Sequence, residues 1–386
     1  MSQLTQNALD GSAPVAETTA RGGVRLSAAR RTVERLVGAL PDDVPAFRSR
    51  SAAIDDWDAV VEAAYDQGVL GVLVHHWRDA NVEIPPSAFE AAERHCAIEQ
   101  LWTQQVRAAA DEALRRLDAD GVRCIPLKGP LLAERLYPDA AIRPCLDLDL
   151  LIHARDVDVA TSSLEALGYR REEGPGAQYA RRHGHHLLLR RAGTPDLELH
   201  FRVYAGFGTV LEASDAFLHA EKSSTGTGVP MEVLAPEDEV LYLALHAAGH
   251  SYVRLLWLHD LKLLVRRHAT LDWRQVAARA RALGVASVVA FTCRLLDERL
   301  ETAVPGASEL GVVTGWRWRL AGRLLPVVMK PTARSARENF ESLVFTSLLC
   351  DRPLTGFRLV AHHVGRTARR RIQRLAPALV PADWAG

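Results

Sequence analysis

Three acids carry the chemistry this sequence offers. Asp147 and Asp149 flank Leu148 in the run Leu146-Asp147-Leu148-Asp149-Leu150-Leu151-Ile152. On a strand, successive side chains point to opposite faces, so the two carboxylates share a face, roughly 7 Å apart along the backbone. Leu146, Leu148 and Leu150 then face a core. Paired carboxylates repel unless a cation lies between them, and carboxylate oxygens suit Mg²⁺ or Mn²⁺. A second alternating run, Asp196 to Val203, puts Asp196, Glu198, His200 and Arg202 on one face. Laid beside the first, it makes Glu198 the third carboxylate of a set able to hold two divalent ions, one on a nucleophile and one on phosphates.

Upstream, Lys128-Gly129 closes a short β-like run, Val122 to Leu127, and opens a helix, Pro130 to Leu136. Glycine there lets backbone approach a phosphate, and a helix start favours an anion. Lys128 adds a point charge, and Arg143, four residues before Asp147, is a candidate clamp for the same phosphates. The plainer readings are a solvated Asp-x-Asp face, a surface lysine, and an Arg143 paired with Asp139 or Asp147.

The histidines divide into groups. His183, His185 and His186 precede or begin one strand and His200 follows Glu198 in the other; a transition-metal site is one reading, and polar positions on a cleft-facing strand the preferred one. His186 and His200 are candidate acceptor-side or supporting groups. His246 and His250 are four apart on a helix but lack the glutamate of the HExxH pattern. His259-Asp260 is reminiscent of HD phosphohydrolases without the rest of that ligand set. Both pairs read as packing or capping residues or as secondary contributors to the cleft, and Trp257 and Trp273 as core anchors.

Residues from about Leu26 to Asp118 place Trp57, Val60, Val61 and Ala64, then Leu70, Val72, Leu73 and Trp77, at helical spacing. Pro85-Pro86 interrupts them, and Ser87 is the expected cap of the next helix. The mixed stretch that follows holds a helix from Asp156 to Leu167 closed by Gly168. It also holds two strands, His185 to Arg190 and Asp196 to Val203, joined by a turn at Ala192 to Pro195. Helical spacing returns from Pro236, with two helices around Gly284 between Trp273 and Leu300. The expected division is a disordered leader (1–25), an N-terminal helical region (26–119), a core (120–235) and a C-terminal helical region (236–386). The fold class is α+β, a small mixed β-sheet flanked by helices.

The chain has 386 residues, with 47 Lys plus Arg balancing 47 Asp plus Glu. Zero net charge argues against a generally basic nucleic-acid binder. An Arg-rich tail from Gly365 to Arg374 is one candidate for touching RNA or another polynucleotide, with a solvated helix face the preferred reading. Five scattered cysteines without metal or disulfide spacing fit reduced thiols. No secretory signal is visible, and no apolar run approaches the roughly 18–20 residues that span a bilayer. The expectation is a soluble cytoplasmic protein without a membrane partner.

The ordered set Leu127-Lys128-Gly129, Leu136-Tyr137-Pro138, Arg143-Pro144-Cys145-Leu146-Asp147-Leu148-Asp149-Leu150-Leu151, Gly168-Tyr169 and Leu197-Glu198-Leu199-His200 resembles bacterial nucleotidyltransferases of the DNA polymerase β superfamily in which helices precede the catalytic core. Leu245-His246 and Trp257-Leu258-His259-Asp260-Leu261 extend the resemblance, which runs from about Trp57 to Leu300. It implies transfer of a nucleoside monophosphate from an NTP, ATP foremost, with release of pyrophosphate. It assigns Asp147, Asp149 and Glu198 as the metal-binding catalytic acids, and Lys128, Gly129 and Arg143 to the nucleotide. Glu198 stands where the superfamily usually has Asp, Lys128-Gly129 where it usually has Gly-Ser, and Phe201 where Trp is common. The acceptor is open among a protein, a peptide, a small molecule and an RNA end, with nucleic acid not favoured. The alternatives are a catalytically degenerate protein that binds a nucleotide or partner, and phosphohydrolysis at a histidine cluster.

Overall fold

A computed structural model describes residues 20–172, 184–311, 315–329, 336–352 and 354–356. His183, the Arg-rich tail and most of the expected leader lie outside the described residues. Five helices come first: α1 (Ala20–Ala39), α2 (Val44–Ala52), α3 (Trp57–Asp66), α4 (Leu70–Asp79) and α5 (Pro86–Ala119). Asp43 and Asp56 cap α2 and α3 by accepting from the backbone N–H three residues on. Ser87 does not cap α5: Pro85 holds that position and Pro86 the first turn, where a missing N–H costs nothing.

The central stretch supplies β1 (Cys124–Pro126), α6 (Pro130–Leu136), β2 (Asp147–Ile152), α7 (Val157–Ala166), β3 (Arg170–Arg171), β4 (His186–Arg190) and β5 (Asp196–His200). These strands form one mixed sheet in the order β1-β2-β5-β4-β3. Only β2 and β5 run parallel; the other pairings are antiparallel. The expected strand to Val203 breaks after His200. Arg202 begins β6 (Arg202–Gly206), which pairs with β7 (Thr209–Glu212) in a separate ribbon. Arg202 therefore leaves the acid face, and its guanidinium is hydrogen-bonded to the Gly184 carbonyl (2.6 Å). After α8 (Ala213–His219), β8 (Glu221–Ser224) and β9 (Pro230–Val233) make a second ribbon that the sequence pattern does not reveal. Helices α9 (Pro236–Gly249), α10 (Leu255–Arg267), α11 (Trp273–Leu283), α12 (Ala286–Leu300), α13 (Trp316–Val328) and α14 (Ala336–Leu349) complete the described chain. Gly284 ends α11 in the left-handed conformation (φ 71°) that favours glycine. Among the described residues no helix is long and apolar enough to cross a membrane.

The sheet's two faces address two cores. Leu148, Leu150 and Ile152 of β2, Leu187 and Leu189 of β4, and Leu197 and Leu199 of β5 pack with Val106, Ala110, Leu114 and Leu117 of α5. Leu151, on the same side of β2 as the two aspartates, packs instead into the larger core built by the flanking helices. Leu146 joins neither; it precedes the strand and is exposed, a correction to its expected core role. The helix α5 enters both cores, through Ala92 and Cys96 in one and its C-terminal half in the other. At 34 residues it spans about 50 Å.

One contact fixes the loop that leads to β2. Gly71 of α4 lies so near the 3₁₀ turn Ala140–Ile142 that a Cβ there would sit 2.5 Å from the Ile142 carbonyl oxygen. Helix propensity alone makes Gly71→Ala stabilising by about 1 kcal/mol. The clash is with backbone, which cannot swing aside, so the expected outcome is a lower melting temperature, read by circular dichroism.

Candidate active site

Strand pairing builds the acid cluster. The parallel register sets Asp147 opposite Asp196 and Asp149 opposite Glu198. Leu148 and Leu197 drive the other face into the core, which forces the acids outward. Asp149 is buried, whereas Glu198 and Asp147 are part-exposed. Asp196 is turned to the sheet margin, where it pairs with Arg190 (3.2 Å).

Lys128 reaches this cluster from the β1–α6 turn. Its Nζ lies 3.2 Å from Asp149 Oδ2 and 3.5 Å from Asp147 Oδ2. The turn depends on Gly129, whose φ of 82° and ψ of −148° are accessible to glycine and not to residues with a Cβ. The Leu127 N–H donates to the Asp149 carbonyl (3.1 Å), continuing the β1–β2 ladder up to the lysine. Burial lowers the pKa of Lys128. Asp149, then Asp147 and Glu198, outweigh that and raise its pKa above the ordinary lysine value.

His200 lies on the other side of the acids. Its Nε2 lies 3.1 Å from Asp149 Oδ1 and 3.3 Å from Glu198 Oε2. Burial opposes its charge, but the hydrogen bonds to Asp149 and Glu198 prevail and raise its pKa. For Glu198 burial pulls upward, and the His200 hydrogen bond and charge prevail, holding the carboxyl down to about 2. His186 Nδ1 stands 3.7 Å from Glu198 Oε2. Burial lowers the pKa of His186 and takes that of His185 to about 3, leaving both neutral.

A divalent cation fits the donors present. Asp149 Oδ2 is buried with the Lys128 ammonium 3.2 Å away as its ion-pair partner, and a divalent ion would compete with that ammonium for it. Asp149, Glu198 and His200 each offer a ligand atom within 4.8 Å of the others. Asp147 stands at the more open end of the cluster, on the other side of the Lys128 ammonium.

Arg143 pairs with a different acid. It is buried, and its Nε and Nη2 donate to Asp260 Oδ1 (2.8 Å) and Oδ2 (2.7 Å) in a two-pronged pair. Tyr137 Oη donates to the same Asp260 (2.6 Å). The expected phosphate clamp thus ties the loop before β2 to α10, and neither Asp139 nor Asp147 is its partner. The His259-Asp260 pair carries no phosphohydrolase-like cluster among the described residues; Asp260 is the acceptor that organises this loop. The signal for it lay in Trp257-Leu258-His259-Asp260-Leu261, but pairing across 117 residues has no local signature.

The helix α9 brings Tyr242 and His246 within electrostatic reach of the acids and of Lys128. His246 is buried, and burial followed by the Lys128 charge lowers its pKa. The His246 and His250 rings lie 4.7 Å apart, and each packs 5.1 Å from Trp257. Trp273 is buried as expected of an anchor, whereas Trp257 is only part-buried and belongs to this aromatic wall.

The model of a family described as uncharacterised nucleotidyltransferase matches residues 54–301, well over half the chain. That span takes in α3 to α12 and every residue of the cluster above. No curated protein and no solved structure matches the chain at a significant level.

Two outcomes are expected. Asp260→Ala leaves Arg143 buried and unpaired, and should cost about 3–5 kcal/mol in urea unfolding. In chelator-treated protein, wild type should exceed His200→Gln in stability most below pH 6.5. The advantage should fade as pH rises through the raised folded pKa of His200, because only the protonated ring neutralises Asp149 and Glu198.

Proposed function

This chain belongs to the uncharacterised nucleotidyltransferase family, and we propose that it moves a nucleoside monophosphate from an NTP, ATP foremost, to an acceptor nucleophile with release of pyrophosphate. We assign its core to the DNA polymerase β-like superfamily. The observation that carries the reading is the register that sets Glu198 opposite Asp149, with Lys128 within 3.5 Å of both aspartates. Two acids on one strand, a third on its parallel neighbour and a lysine on a glycine turn make a charge-separated site suited to a triphosphate.

Asp147, Asp149 and Glu198 would hold Mg²⁺ or Mn²⁺, which when bound supplies Lewis-acid neutralisation of phosphate charge. Lys128 carries a secure positive charge and three donors, so it can exchange an aspartate for a phosphate oxygen as a substrate arrives. Glu198, held near 2, has little proton affinity and serves better as a ligand than as a base. His200 orients Asp149 and Glu198 from behind. Arg143 acts indirectly, by fixing the loop that ends at Asp147. The wall of His246, His250 and Trp257 borders the acid face and is the natural acceptor side.

A second reading rests on the same lysine. Lys128 already satisfies the cation requirement of both aspartates, as it would in a protein that binds a nucleotide without turnover. The test is incubation of the full chain in cell extract with each α-labelled NTP and Mg²⁺ or Mn²⁺. Transfer predicts a labelled acceptor and released pyrophosphate, both reduced at least about a hundredfold in Asp147→Asn while the circular dichroism spectrum is retained. Metal-dependent NTP binding with no pyrophosphate favours the second reading, and full activity of Asp147→Asn overturns the assignment.

A further inference from the structure

The transfer reaction does not use the second nitrogen of His200. Its Nε2 faces Asp149 and Glu198, while Nδ1 is buried without a hydrogen-bond partner on a residue only 3% exposed. A buried imidazole nitrogen left unmatched is costly. Two further imidazoles stand beside it. The ring of His186 lies 5.1 Å from that of His200 and the ring of His185 5.3 Å, and the two neighbours are 4.7 Å apart. One ring nitrogen from each of the three falls within 4.8 Å of the others. His186 Nδ1 is likewise buried without a hydrogen bond, with Glu198 Oε2 3.7 Å away.

The backbone holds these rings in place. The N–H groups of Phe201 and Arg202 both donate to the His185 carbonyl (2.9 and 3.2 Å). His186 pairs across the sheet with His200 in the β4–β5 register. The His185 ring stacks on Tyr204, 5.9 Å between centroids.

We propose that His185, His186 and His200 form a nitrogen-ligand site for a borderline divalent ion of the Zn²⁺ class, separate in chemistry from the carboxylate site and joined to it through His200. A metal-ligating histidine characteristically gives its other N–H to a carboxylate, which fixes tautomer and ring orientation. His200 has that arrangement already, with its Nε2 on two carboxylates and Nδ1 free. Three imidazoles and an open position suit Zn²⁺ or Co²⁺, whereas Mg²⁺ prefers oxygen. The ion would lock the proton of His200 on Nε2 and so hold Asp149 and Glu198 in their present orientation.

The test is a Co²⁺ titration of the metal-free full chain, followed by visible absorption and by competition with Zn²⁺. One equivalent of Co²⁺ should give nitrogen-ligand bands that Zn²⁺ abolishes and excess Mg²⁺ does not. His185→Ala and His186→Ala should each weaken binding at least about tenfold, and Asp147→Asn should leave the bands in place. If either alanine variant loses its helical circular dichroism, His185→Asn and His186→Asn take its place. Bands unchanged in the histidine variants, or lost only in Asp147→Asn, overturn the proposal. The readout needs no nucleotide, so its failure is distinguishable from failure of the transfer reaction.

Discussion

Like charges forced together by strand register are the constraint around which this molecule is organised. Hydrophobic alternation gives the acids no choice of face: with Leu148, Leu150, Leu197 and Leu199 buried, Asp147, Asp149 and Glu198 must share the other. Carboxylates so close cannot all stay ionised without compensation. The fold answers with the Lys128 ammonium from the β1–α6 turn and the His200 imidazole, hydrogen-bonded to Asp149 and Glu198, from the end of β5. The tight glycine turn at Gly129 and the end of β5 at His200 place those two groups within reach of the acids.

The surrounding helices act through position more than contact. The Arg143–Asp260 pair, with Tyr137 on the same carboxylate, joins the loop before β2 to α10. Gly71 lets α4 press on the turn just ahead of it. Buried ion pairs add little net stability but are costly to break, so this one serves as a register pin. Lys262 repeats the device on a smaller scale: from α10 its Nζ donates to the carbonyls of Val37, Gly38 and Leu300, tying together the ends of α1 and α12.

The sequence made the acids legible because strand alternation is a local, period-two signal. Asp147, Asp149, Glu198 and the Lys128-Gly129 turn could be read from neighbours a few residues away. The helices were legible for the same reason, down to the glycine stop at Gly284. What escaped was non-local. Arg143 looked like a phosphate ligand because its partner is 117 residues distant. Arg202 kept the alternation of β5 but belongs to the next ribbon, since nothing in period-two spacing marks where a strand changes sheets. Leu146 followed the apolar pattern one residue beyond the strand that would have buried it. The strands of the ribbons β6–β7 and β8–β9, four or five residues each, are too short for alternation to announce them.

The long helix α5 has an implication for how such proteins diversify. Its first half belongs to the helical core and its second half to the core beneath the sheet. A rigid rod shared by two interiors leaves no seam at which one half could be exchanged for another by recombination. Grafting a different surround onto this sheet would cut through a continuous hydrogen-bonded helix and open both interiors at once. Changes to the cleft are more readily made on standing walls, such as the surface formed by His246, His250 and Trp257, than by exchange of the helix that both interiors share.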